Sequence, residues 1–255
     1  MSHLLTALKV AGHSFAENYR SRFFALFLVF AGVLIYSSLL AGVMAVDEEA
    51  RVITDFGLAL MELITLAYAL MASASAITRE METKTIYLVL SRPVSRPAYL
   101  AGRAAALYAV LASMLAVMAL IHLSLLWVRG LAPAPMYLKA VAFIWCKLAV
   151  ITSAALFISL FSTSAVSTVV IAAILWTLGH FTAEARFLAS RSTGAAAVLL
   201  STASLVIPDL QLFNARDLAS SVPAPAGPAF LAAYLLLWLV VPYLFSLLLF
   251  RKKEF

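Results

Sequence analysis

Cys146 is the only cysteine in this chain, and charged residues fill just 12% of its 255 positions. A lone cysteine excludes a disulfide framework and a paired-thiol site for metal or redox work. Scarce charge excludes an ordinary soluble domain, in which about a quarter of residues are charged. Also missing are a Gly-x-x-x-x-Gly-Lys-[Ser/Thr] loop to cradle phosphates, a His-Glu-x-x-His pair and any Cys/His cluster at ligand spacing. No catalytic residue, metal site or directly bound cofactor is therefore expected. What is present is apolar: 64% of residues are hydrophobic and the mean hydropathy is +1.02. These residues come in continuous runs, without the alternation of barrel strands, which predicts an all-α polytopic membrane protein.

A hydrocarbon core about 30 Å thick takes roughly 20 residues of helix to cross. Six runs approach or exceed that length, at 23–46, 56–78, 104–128, 140–161, 165–182 and 230–250. A seventh, 194–208, is too short and contains Ser201, Thr202 and Ser204. It reads as a re-entrant or interfacial helix within a long outer segment, 183–229. Ahead of the first span, Leu4, Leu8, Ala11, Phe15 and Tyr19 recur at helical spacing and predict an amphipathic helix over 2–21, lying in the interface. The whole chain, 1–255, reads as a single transmembrane domain. No internal repeat is visible, so a signature of many secondary transporters is missing.

Lys and Arg set the orientation. With the N-terminus inside, 11 of the 18 fall in inner segments and six in outer ones, which predicts that both termini are cytoplasmic. The pI of about 9.6 follows from these flanking residues facing anionic headgroups, without nucleic-acid binding. Two charges lie at membrane depth: Glu62 and Lys147, each costing roughly 2.5–3.5 kcal/mol near a span centre. With His122 and His180 they form a candidate translocation-path or gating cluster. The alternatives are a structural Glu62–Lys147 pair, side chains that snorkel, and histidines that only hydrogen-bond.

A long charged segment, 79–103, lies between the second and third spans. A short helix is expected from Thr78 to Leu90, ended by Pro93, with Pro97 reinforcing the break. The order Arg79-Glu-x-Glu-x-x-Thr85, then Leu90-Ser-Arg-Pro-Val-Ser-Arg96, then Tyr99-Leu-x-Gly-Arg103 resembles the loop between the second and third spans of type-2 ATP-binding-cassette transporter permeases. Lys84 stands where that family usually has Gly, and Arg103 where it has Lys. The amphipathic elbow helix, the six spans and the run from Pro208 to Phe213 resemble the same family.

This resemblance implies a cytoplasmic coupling helix seated on a separate P-loop nucleotide-binding ATPase subunit, with Glu80, Glu82, Lys84, Thr85, Arg92, Pro93 and Arg96 as the coupling residues. It also implies that ATP and Mg are bound by that partner, that a second permease copy (identical or a paralogue) completes the unit, and that a substrate is exported across a bacterial inner membrane. The rival readings are an ATP-independent secondary transporter or channel, an intramembrane enzyme, and a non-transporting mechanotransmission or assembly component, which would add a periplasmic partner.

Overall fold

A computed structural model describes residues 3–44, 48–82, 95–133, 135–162, 164–214 and 227–252. Among them the regular structure is helical throughout. The helices are α1 (His3–Tyr19), α2 (Arg22–Met44), α3 (Glu49–Glu82), α4 (Arg96–Val128), α5 (Tyr137–Phe161), α6 (Ala165–Gly179), α7 (Thr182–Arg191), α8 (Ala195–Val206) and α9 (Pro228–Lys252). A 3-10 turn, Gln211–Phe213, precedes α9. The base of the bundle holds α1, the start of α4 and the end of α9; the opposite end, the roof, holds α7, α8 and the 3-10 turn.

Burial sorts the long helices into centre and rim. The most apolar windows of α3 and α5 are each 67% buried, against 22% for α2 and 17% for α9. The centre therefore consists of α3 and α5 with α4 against them, while α2 and α9 turn most of their surface outward, as lipid-facing helices do. Where α2 does touch α3 it places Phe24, Ala31, Ile35, Ser38 and Gly42 in one stripe. At its foot the Phe24 and Phe27 rings both meet the Tyr68 ring edge-on at 5.9 Å. Hydroxyls inside these helices return to their own backbone: Ser38, Ser73, Ser159 and Ser246 each donate to the carbonyl three or four residues earlier, at 2.5–2.7 Å. That disposes of polar groups where water cannot.

The amphipathic α1 packs on the base of α4. A Cβ at Gly102 would lie 2.7 Å from Cβ of Val10 and 2.8 Å from the Ala7 carbonyl oxygen, so only glycine allows this approach. Leu8, part of the stripe expected to be apolar, is exposed, and the smaller Ala7, Val10 and Ser14 are more covered. The expected stripe is divided, with Leu8 and Tyr19 exposed and Ala11 and Phe15 half-buried, while the small Ala7 and Val10 make the close approach to Gly102.

Two expected boundaries change. The segment 79–103 is not all loop. Helix α3 continues to Glu82, taking in the first residues of the helix expected from Thr78 to Leu90, and α4 begins at Arg96. Ser95 is the N-cap residue and Pro97 sits in the first turn, where its missing N–H costs nothing; Pro97 thus opens a helix instead of prolonging a break. The span expected over 165–182 is not one straight helix either, because α6 and α7 meet at a 59° bend. Among the described residues five helices are long and apolar enough to cross a membrane, six if that bent pair is one span.

The bend has a packing cause. Residues 207–214 return beneath it, and a Cβ at Gly179 would come within 2.8 Å of Leu210 and of the Pro208 carbonyl oxygen. Leu210 N–H donates to the Gly179 carbonyl at 3.0 Å, Thr182 Oγ1 donates to that carbonyl at 3.3 Å, and Gln211 Nε2 donates to the His180 carbonyl at 2.8 Å. The carbonyls that the end of α6 leaves open are satisfied by the returning chain.

Candidate functional site

Glu62 of α3 and Lys147 of α5 meet at the centre of the bundle. Lys147 Nζ donates to Glu62 Oε1 at 2.8 Å, with side chains 4% and 11% exposed respectively. Counted at ~1.5 Å per residue, Glu62 lies about 20 Å below the roof end of α3 and Lys147 about 15 Å below that of α5, so both are at membrane depth. His180, in the α6–α7 bend, brings Nε2 to 3.9 Å from Glu62 Oε1. Its other nitrogen, Nδ1, donates to the Trp176 carbonyl at 2.9 Å, since a carbonyl can only accept. The His180 ring also lies on Trp176, with centroids 4.4 Å apart. A cleft of about 400 Å³ opens over this group, lined by Ala59, Glu62, Leu63, Lys147, Trp176, His180 and Asn214.

The fourth candidate does not join them. His122 of α4 is fully buried, and its Nδ1 lies 3.0 Å from the Tyr137 hydroxyl at the head of α5. It ties two central helices together and does not line the cleft. Among the described residues no group of three or more His, Cys, Asp or Glu is placed to hold a metal ion.

Of the seven coupling residues, Lys84, Thr85, Arg92 and Pro93 lie outside the described residues, and Glu80 and Glu82 fall in the last turn of α3. Arg96 is described and reaches within the chain. Its Nη1 donates to the Phe250 carbonyl at 2.6 Å, and its guanidinium lies 5.8 Å from the centre of the Phe250 ring. Phe250 is in the last turns of α9, where carbonyls lack helical partners and the helix dipole is negative, so a cation is doubly suited there. Tyr99 stacks on Phe250 at 5.9 Å and 13°, and the Tyr243 hydroxyl donates to the Pro97 carbonyl at 3.0 Å. On its other side α4 is fastened to α1: Arg103 Nη1 donates to Glu17 Oε2 at 3.3 Å, and Arg103 also lies over the Tyr99 ring. The first two turns of α4 thus hold α1 and α9 together directly beside the segment 83–94.

Sequence reasoning expected a re-entrant outer segment over 183–229 but missed the polar contacts within it. Asp209 is buried; it is paired with Arg186, accepts from Gln211 N at 3.1 Å through Oδ1, and donates its own N–H to the Tyr234 hydroxyl at 2.6 Å. Asp directly after Pro208 and two residues before a short turn is a side-chain capping pattern, and it was the available signal.

A helical bundle with a central buried ion pair, an amphipathic base helix and a bent, capped roof defines a multi-pass membrane protein. The family model described as ABC-2 family transporter protein matches residues 8–255, and the chain belongs to that family. It is a membrane permease subunit of an ABC transporter, and membership implies an ABC ATPase subunit as partner. Among curated proteins, none matches the chain significantly.

Proposed function

We propose that the chain couples ATP hydrolysis by a separate nucleotide-binding subunit to export, working with a second permease copy, identical or a paralogue. The observation that carries this is where the segment 83–94 is attached. It joins the end of α3 to the start of α4, and these helices carry Glu62 and His122 of the buried core. A push on the segment reaches the centre of the bundle through α3, and reaches α1 and α9 through Arg96, Tyr99 and Arg103. On this reading Glu80, Glu82, Lys84, Thr85, Arg92 and Pro93 face the ATPase, Arg96 positions the receiving end of α4, and ATP and Mg stay in the partner. The base faces the cytoplasm of a bacterial cell, as the excess of Lys and Arg there supports. Glu62, Lys147 and His180 form the gate beneath the roof.

The test is ATP turnover by the purified complex. Glu82→Lys should abolish permease-stimulated turnover while membrane insertion and expression stay normal. Unchanged turnover would overturn the proposal.

A further inference from the structure

A second cavity, of about 680 Å³, lies against α5 on the side away from the Glu62 cleft, within the roughly 300–1,000 Å³ typical of small-molecule sites. Helix α9 packs on α5 and α4, whereas α6 packs on α5 and α3, and the slot lies between α6 and α9. Its walls are apolar, with Phe157 and Ile158 behind, Leu175 to one side, and Leu237, Val241 and Phe245 to the other. Along α9 the lining runs from Phe230 to Phe245, about 22 Å at ~1.5 Å per residue. One leaflet of a hydrocarbon core is about 15 Å deep, so the slot holds an extended chain lengthwise.

The roof end differs from the walls. Arg186, Asp209 and Tyr234 line it. Both carboxylate oxygens of Asp209 are engaged, one by Arg186 and the other by Gln211 N. The Tyr234 oxygen accepts from Asp209 N, so its hydroxyl hydrogen points elsewhere. The Arg186 side chain is 53% exposed, and a guanidinium has five N–H groups, more than Asp209 takes up. The roof therefore offers donors above a greasy slot. One guanidinium already sharing its charge with Asp209 suits a monoanion better than a doubly charged phosphate, and its planar fork fits a carboxylate.

We propose that this slot binds a long-chain fatty carboxylate, with its chain between α6 and α9 against α5 and its head at Arg186 and Tyr234, and that this class of amphiphile is the transporter's cargo. The cargo assignment rests on the export reading above; the binding site does not.

The test uses the full-length protein in nanodiscs of zwitterionic phospholipid with a diazirine-bearing palmitic acid as probe, the labelled residues being mapped by mass spectrometry. Labelling is expected on α5 and α9 around Phe157 and Trp238. Palmitate should compete and palmityl alcohol should not. Arg186→Gln should weaken labelling about tenfold and Tyr234→Phe several-fold, as loss of a charged and of a neutral donor would. Leu237→Trp, at an exposed position on the slot wall, narrows the slot and should also reduce labelling without disturbing the core.

Labelling that ignores all three substitutions, or that the alcohol competes equally, would mean annular lipid and would overturn the site. So would stronger competition by a lysophospholipid than by palmitate, or cross-links through the slot to a second copy of the chain. With the ATPase subunit present, palmitate should raise ATP turnover. Binding without stimulation would overturn the cargo assignment and leave the site standing, whereas a permease that no ATPase accompanies would remove the export reading alone.

Discussion

Lys147 and Arg96 are both cations held inside an apolar bundle, but the two are accommodated by different means. Lys147 sits at the centre of the bundle with a full counter-charge at 2.8 Å. Arg96 sits at the base, where the carbonyl end of α9 and the face of Phe250 receive it. A buried ion pair is an all-or-nothing arrangement, since removing one member strands the other in low dielectric. Dipole and aromatic contacts are graded, and a helix end can shift beneath a guanidinium without leaving a bare charge. The comparison gives the first cation a pairing that holds or breaks as a whole, as a gate does, and the second the transmission of movement.

The largest effect is expected at the centre. Lys147→Met should destabilise the protein by about 3–5 kcal/mol, because Glu62 is left without its Lys147 partner in the core. Thermal unfolding in detergent, followed by tryptophan fluorescence, measures it. The double variant Glu62→Leu, Lys147→Met should recover most of the loss; if it is as unstable as the single variant, packing and not charge sets the cost.

Arg96→Ala comes next, at about 1.5–3 kcal/mol for a charged hydrogen bond, felt locally as faster hydrogen exchange in the last turns of α9. The ATPase subunit should still co-purify while stimulated turnover falls. Loss of co-purification instead would make Arg96 an intersubunit contact and break the comparison. The smallest effect belongs to Tyr243→Phe, about 0.5–1.5 kcal/mol for one neutral hydrogen bond, near the lower bound because the Pro97 carbonyl also lies within α4. A loss equal to that of Arg96→Ala would show that the hydroxyl, not the guanidinium, secures α4 to α9.

Hydropathy located α2, α5 and α9 to within a few residues because lipid demands about 20 apolar positions. It missed the ends of α3 and α4 because charged residues such as Arg79, Glu80 and Arg96 continue a helix perfectly well once it has left the hydrocarbon. Hydropathy reports where lipid stops, which is not where hydrogen bonding stops. Glu62 and Lys147 stood out as costly wherever they pointed. That they face each other, while His122 turns to Tyr137, depends on how α3, α4 and α5 are rotated, and apolar runs with no polar face carry little of that information. Arg186 and Asp209 lay on either side of the short apolar run in the outer segment 183–229, and only the return of 207–214 under Gly179 makes them a pair. For the coupling residues, the helical ends at Glu82 and Arg96 bound the question without reaching Lys84 through Pro93.

The bend after Gly179 has a consequence for the membrane itself. The straight apolar part of this arm is 15 residues, about 22 Å, and α7 beyond it carries Glu184, Arg186 and Arg191, which do not belong in hydrocarbon. The spans packed against it, α3 and α5, run 34 and 25 residues. Lipid beside the short arm meets a hydrophobic mismatch of several ångströms, which a bilayer relieves by thinning at fractions of a kcal/mol per ångström. Thinning of this kind would bring the two leaflets closer together along this flank than beside α2, a local dimple that the protein would carry with it through the sheet.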